Sequence, residues 1–146
     1  MSGVVTTRAT LLGCLSVPRW ADDVLAGQPY SDRDALLRAA SAAAGELTDE
    51  ELDQALAGHP RIGERGGAQS QREQSGVRDT AGRLAAGNAA YERRFGRVFL
   101  IRAAGRDADE ILAELDRRLR NDDAAERAET VGNLREIALL RLEATL

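Results

Sequence analysis

Apolar residues recur along the chain at intervals of three and four, and no alternating strand pattern persists beyond a few residues. Pro18 suits the first turn of a helix that carries Trp20 and Val24 four residues apart. A last helix, from about Asp122, has one apolar stripe formed by Val131, Leu134, Ala138 and Leu142. The pattern therefore predicts an all-α fold of six to eight helices with no sheet.

Capping signals mark where three further helices begin. Each start pairs a side chain that can cap with a carboxylate three residues later, and the pairs are Ser31–Asp34, Thr48–Glu51 and Asp107–Glu110. The first two of these helices end at glycine, at Gly45 and Gly58.

The middle of the chain is predicted as a loop followed by two helices. The loop covers 59–67, and helical character then runs from about Ser70 to Leu84, with a bend at Gly76. Asn88 is predicted to cap a separate short helix that ends at Gly96. Residues 98–101 form the one short apolar run of extended character.

Length and composition fit one globular domain. The chain has 146 residues, of which 43% are hydrophobic and 30% are charged. This balance is too apolar for a disordered chain, and the length is typical of a single domain. We therefore expect one domain over residues 1–146.

Reactive residues are scarce, which excludes several kinds of chemistry. The chain has one histidine (His59) and one cysteine (Cys14), and all of its 20 basic residues are arginine. A disulfide within the chain and a zinc site built from His and Cys are therefore excluded. Without lysine there is no Schiff base and no phosphate-binding P-loop. We expect no metal and no cofactor, and chemistry carried by histidine, carboxylates, arginine and backbone.

Charge and hydropathy favour a small-molecule partner. The net charge is −4 and the pI about 5.1, so nucleic acid is not the expected partner. The arginine pairs 93–94 and 117–118 follow acidic residues and are interpreted as solvated helix faces. No apolar run is long enough to span a membrane and no signal sequence is recognisable, so we expect no membrane partner and a cytoplasmic location.

His59 is the only candidate for histidine-dependent catalysis. It precedes Pro60 and directly follows the predicted helix stop at Gly58, so it is expected in an extended, non-helical conformation. A histidine on such a turn can reach a cleft and exchange a proton. A surface or capping histidine is the alternative.

Ser70, Glu73 and Gln74 form a second candidate group. On a helix they share one face at i, i+3 and i+4, which presents a hydroxyl, a carboxylate and an amide together. Such a set suits a polar ligand rich in amide groups. A capping box of Ser70 with Glu73 on a solvated face is the alternative.

Arg141 and Cys14 each have a structural and a functional interpretation. Arg141 lies among the apolar residues of the last helix, so its stem can follow the core edge while the guanidinium reaches solvent or a substrate carboxylate. Cys14 is interpreted as a small core residue, because no second histidine could activate it as a nucleophile.

Taken together, four sequence blocks resemble the OHCU decarboxylase family, which acts late in urate breakdown. The blocks are His59-Pro60-Arg61-Ile62-Gly63, Ser70-x-x-Glu73-Gln74-x-Gly76, the run from Asn88 to Gly105 that contains Tyr91, Arg94, Phe95, Gly96, Phe99 and Ala103, and Ile137-Ala138-Leu139-Leu140-Arg141-Leu142. A weaker match is Cys14-x-Ser16-x-x-Trp20-Ala21. The resemblance covers the chain from about Cys14 to its end.

The resemblance implies an all-helical, cofactor-free decarboxylase. It implies conversion of 2-oxo-4-hydroxy-4-carboxy-5-ureidoimidazoline to (S)-allantoin and carbon dioxide. His59 matches the catalytic acid/base and Glu73 its catalytic partner. The implied substrate-binding residues are Pro60, Ser70, Gln71, Arg72, Gln74, Phe99, Leu100, Ile101, Arg102, Ala103 and Arg141. Similar proteins are often homodimers.

Two departures from the family pattern concern loop contacts. The loop from Gly63 to Ser70 is short, and Arg102 places a charge inside the implied binding segment. Two other functions stay open from the residues: a non-catalytic helical interaction module with the same fold, and a helix-turn-helix regulator, which the acidic charge disfavours.

Overall fold

The computed structural model describes residues 3–57, 59 and 68–146, of which 68–81 are described by their helical backbone alone. The described residues form seven helices: α1 (Arg8–Cys14), α2 (Pro18–Ala26), α3 (Arg33–Ala44), α4 (Asp49–Ala57), α5 (Ala68–Phe95), α6 (Ala108–Arg118) and α7 (Asp123–Glu143). Extended pairing among these residues is limited to one isolated bridge between Val4 and Tyr30. The predicted all-α class is confirmed.

The chain divides into two units. We call Met1–Gly58 with Val131–Leu146 the terminal unit, and His59–Thr130 the central unit. Helix α7 contributes residues to both. The expectation of one domain over 1–146 stays a prediction.

The terminal unit packs apolar faces of α1 to α4 and the second part of α7. Trp20 is fully buried, and its indole Nε1 donates to the carbonyl of Ala40 at 2.9 Å, which satisfies the polar atom of a core aromatic. The predicted stripe of α7 is confirmed, since all four of its residues are buried: Val131, Leu134, Ala138 and Leu142.

Helix starts follow the predicted capping chemistry with one correction. Thr48 and Glu51 form the reciprocal capping box, with the Thr48 amide donating to Glu51 Oε1 at 3.0 Å and the Glu51 amide donating to Thr48 Oγ1 at 3.1 Å. The predicted Ser31–Asp34 pair is wrong. Asp32 caps α3 instead, because its extended backbone aims the carboxylate at the amide of Ala35, 2.8 Å away.

Helix α5 corrects the predicted break in the middle of the chain. It runs without interruption from Ala68 to Phe95 and continues through Gly76, so no separate helix begins at Asn88. Gly87, the residue before Asn88, allows α5 to pack closely on α6, since a Cβ there would lie 2.3 Å from Cδ2 of Leu115. The predicted stop at Gly58 and the 60–67 part of the predicted loop lie outside the described residues.

The core of the central unit lies between α5, α6 and the segment that joins them. It consists of Leu84, Tyr91, Phe99, Ile101, Ile111, Leu112 and Leu115, with Phe95 and Leu119 packed against it. Residues 98–101 lie outside any helix, and Phe99, Leu100 and Ile101 are buried. The predicted extended apolar run is thus part of the core.

Candidate active site

His59 lies at a bend two residues after α4 ends, and its side chain is half-buried. The non-helical conformation predicted for it is confirmed. A half-buried residue is compatible with proton exchange with a ligand. Pro60, the other residue expected from this motif, lies outside the described residues.

Residues 70–74 lie in the first two turns of α5, within its helical backbone. Because this stretch is helical, the predicted spacing holds and Ser70, Glu73 and Gln74 occupy one face of the backbone. Gln71 and Arg72 belong to the same turn. Their side chains lie outside the description, so the predicted contacts of all five stay predictions.

Residues 99–103, the substrate-binding segment that the family resemblance implies, pass from the core to the surface. Phe99, Leu100 and Ile101 are buried, Arg102 is half-buried and Ala103 is exposed. Arg102 Nη1 donates to the carbonyl of Ala104 at 2.6 Å, an exposed contact two residues along the chain. The segment ends at Gly105, whose φ of 79° is strained for any residue with a Cβ.

A buried charged network lies directly behind this segment. The side chains of Arg118 on α6 and Glu126 on α7 are each 1% exposed and form a two-pronged ion pair, in which Arg118 Nε lies 3.0 Å from Oε2 of Glu126. Arg118 Nη1 also donates to the carbonyl of Leu100 at 2.6 Å. The interpretation of Arg118 as part of a solvated face is therefore wrong.

Tyr91 and Thr130 complete the network around Glu126. The Tyr91 hydroxyl donates to Glu126 Oε2, and the Thr130 hydroxyl donates to the Glu126 carbonyl at 3.0 Å. Burial, and then the hydrogen bond to Glu126, raise the pKa of Tyr91 to about 12. Tyr91 is thus a neutral donor over the physiological range, and it is fully buried in the central core.

Cys14 and Arg141 belong to the terminal unit. Cys14 is 4% exposed, which confirms its prediction as a core residue. Burial raises the pKa of its thiol, and the charge of Arg141 partly opposes that rise. A buried neutral thiol is a poor nucleophile.

Arg141 is an exposed residue in the last turn of α7, where a cation is favoured by the helix dipole. Both of its interpretations stay open. His59 and the 99–103 segment belong to the central unit.

Within the described part of the chain, no three His, Cys, Asp or Glu side chains converge as metal ligands would. Among the same residues, no helix combines the length and the apolar character needed to cross a bilayer.

The fold and the order of these residues define an all-helical protein with a single histidine placed between two helices. The sequence profile described as OHCU decarboxylase matches residues 5–143, nearly the whole chain. The chain therefore belongs to the OHCU decarboxylase family.

Solved structures share this fold. A crystal structure of OHCU decarboxylase in the presence of (S)-allantoin superposes with a TM-score of 0.79 at 22% identity, covering 96% of this chain and 98% of that one. A crystal structure of (S)-allantoin synthase superposes with a TM-score of 0.72 at 18% identity and covers 95% of this chain and 49% of that one. Comparison with curated protein sequences gives no match.

Proposed function

We propose that this protein converts 2-oxo-4-hydroxy-4-carboxy-5-ureidoimidazoline to (S)-allantoin and carbon dioxide. The observation that carries the proposal is the family profile over residues 5–143, which includes all four motif blocks. One of the two similar structures was determined in the presence of (S)-allantoin and the other is an (S)-allantoin synthase, and both agree with this product.

The substrate itself supplies the electron sink that a decarboxylation needs. The bond between the ring carbon and the carboxylate breaks, and its electron pair moves toward the neighbouring ring C=N, while carbon dioxide departs. The ring nitrogen that receives these electrons takes up a proton. The hydroxyl carbon becomes a carbonyl as its own proton leaves, and a proton delivered to one face of the adjacent carbon sets the (S) configuration. No lysine or cofactor has to accept the electrons, which agrees with a chain that contains no lysine.

The proposed catalytic groups are His59 and Glu73. His59 exchanges a proton with the hydroxyl or with the new carbon centre, and Glu73 orients the imidazole. A base held beside the substrate in this way typically contributes about 10²–10⁴-fold to the rate. The half-buried bend at His59 and the helical turn that carries Glu73 support these roles.

The proposed binding groups hold the rest of the substrate. Pro60 lines the site, the α5 turn binds the ureido and ring groups through Ser70, Gln71, Arg72 and Gln74, and backbone groups of 99–103 face the ring. Arg141 binds a carboxylate or carbonyl oxygen through its guanidinium. These donors fix the substrate so that protonation occurs on one face.

Circular dichroism of the product tests the proposal. The unstable substrate is made fresh from urate with an oxidase and a hydrolase, and the purified protein is then added. We expect the dichroic signal of one allantoin enantiomer to rise much faster than in a matched sample without protein. Slow decay to racemic product, at the same rate with and without protein, would reject the proposal and favour a non-catalytic helical module.

A further inference from the structure

We propose that Arg118, held by Glu126, is a positioning residue for the substrate-binding backbone at 99–103. This inference rests on the proposed function, which assigns that backbone to the substrate. Neither residue lies in any of the four motif blocks, and both are buried in the central unit.

Arg118 contacts the segment through two consecutive residues. Its Nη1 lies 2.6 Å from the carbonyl oxygen of Leu100, and its guanidinium carbon lies 4.7 Å from the centre of the Phe99 ring. Through these two contacts the guanidinium fixes both the orientation of the Leu100 carbonyl and the position of the Phe99 ring.

The contact at Leu100 also sets the direction of the next backbone donor. In a trans peptide the carbonyl of one residue and the N–H of the next point in opposite directions. The N–H of Ile101 therefore points away from Arg118, and no other described residue accepts a hydrogen bond from it. A shift of the Leu100 carbonyl would turn this N–H by the same angle.

Glu126 keeps Arg118 in the orientation that makes this contact. Its carboxylate accepts from Arg118, from the Tyr91 hydroxyl and from Asn121 Nδ2 at 3.2 Å. Thr130 Oγ1 accepts from Arg118 Nη2 at 3.2 Å. With these partners most guanidinium N–H groups are satisfied, and rotation of the side chain would leave buried donors unpaired.

Stability alone is a weak explanation for a buried ion pair. Removing two charges from water is costly, and well-packed apolar side chains often stabilise a core equally well. An apolar pair, however, makes no hydrogen bonds and therefore cannot fix the orientation of a backbone carbonyl. A planar guanidinium can donate to a carboxylate through two nitrogens and to a carbonyl through the third, in fixed directions. The ammonium of lysine has a single nitrogen and cannot make both contacts in this geometry.

The variant R118K, with R117K as its matched control, tests this role. Arg117 is the adjacent residue on α6, is half-exposed and pairs with Glu114 and Glu129 at the surface. We expect R118K to lower kcat/KM by about 10–100-fold, mainly through a higher KM, because a hydrogen bond to a charged group is lost. R117K should stay within about twofold of the wild type.

Hydrogen exchange of the segment gives a readout that does not depend on activity. In R118K we expect faster exchange of the amides at 99–102 and unchanged exchange in the middle of α6. If R118K does not fold, Glu126→Gln takes its place. This variant removes the charge that holds Arg118, and we expect it to show the same rise in KM and the same faster exchange at 99–102, both to a smaller extent.

The outcomes separate this inference from the proposed function. An inactive wild-type protein whose 99–102 amides still respond to R118K would reject the proposed reaction alone. The positioning role would be overturned if the wild type is active and the folded R118K variant has the same KM as the wild type. The same amide exchange at 99–102 in the two proteins would also overturn it.

Discussion

Tyr91 is a buried group whose ionisation is strongly affected by its surroundings. It is fully buried, and its hydroxyl donates to the carboxylate of Glu126. Burial first, and then this hydrogen bond, raise its pKa from 10.0 to about 12. A pKa that is higher in the folded state than in the unfolded state contributes stability below the unfolded value, and this contribution is lost as the pH rises through the folded value.

The Tyr91→Phe variant should therefore differ from the wild type in a pH-dependent way. At neutral pH we expect it to be less stable by about 1.5–3 kcal/mol, because a hydrogen bond to a charged group is missing. The difference should shrink between about pH 10 and about pH 12, as the wild type loses its contribution from Tyr91.

Denaturant unfolding at several pH values measures this difference. Both proteins should carry Tyr30→Phe, since burial also raises the pKa of Tyr30. A gap between the two proteins that stays constant from neutral pH to about pH 12 would contradict the role given to Tyr91.

Arg118 is buried although arginine is usually exposed, so its residue type alone does not predict its position. Its position is three residues after Leu115 and seven after Ile111, so it lies on the apolar stripe of α6. That signal is present in the sequence, but a charge at the end of a helix more often reaches solvent. Burial required an acceptor from α7, and a pairing between separate helices cannot be predicted from local spacing.

Helix α5 depends on one glycine for its contact with α6. An ideal Cβ at Gly87 would lie 2.3 Å from Cδ2 and 3.2 Å from Cγ of Leu115. Leu115 is 1% exposed and belongs to the central core, so it has little room to move. Gly82, earlier in the same helix, has no atom of the described residues within 4 Å of its Cβ position.

Alanine at these two positions should have opposite effects on stability. We expect Gly87→Ala to lower the free energy of unfolding by about 1–3 kcal/mol, because the added methyl overpacks the core. Gly82→Ala should raise it by about 0.5–1 kcal/mol, because alanine favours the helix and meets nothing.

Urea unfolding of both variants provides the measurement, and Gly82→Ala serves as the matched control for helix propensity. If both substitutions stabilised the protein, the claim that α5 packs too closely on α6 at Gly87 to admit a methyl group would be wrong.

The sequence predicts helix starts better than helix continuity. Thr48–Glu51 and Asp107 act as caps because their partners lie within one turn, so local spacing contains the whole interaction. The predicted helix start at Asn88 is wrong, because α5 continues through this residue and Asn88 is buried within it. Helix α1 was not predicted, since seven residues capped by Thr7 give little periodicity.

The candidate site depends on both local and distant features of the molecule. The sequence supplies His59 and the α5 turn through motif spacing, and the structure adds the buried network behind 99–103. That network joins Tyr91, Arg118 and Glu126 from three helices. Arg118 lies eight residues before Glu126 and Tyr91 lies 35 residues before it, which explains why no single motif contains all three.

The molecule has few groups that could move a proton for this reaction. It has one histidine and no lysine, so the proposed chemistry depends on one imidazole and on a substrate that accepts its own electrons. Removal of that imidazole should therefore abolish catalysis rather than reduce it by a small factor.

The enantiomeric composition of the allantoin made by the wild type and by His59→Asn provides the decisive test. Asparagine keeps a polar side chain of similar reach, and far-ultraviolet circular dichroism checks that the variant is folded. We expect the wild type to form (S)-allantoin alone. The variant should be at least about 10²-fold slower and should leave mainly racemic product. A folded His59→Asn protein that still produced (S)-allantoin at the wild-type rate would contradict the proposed mechanism.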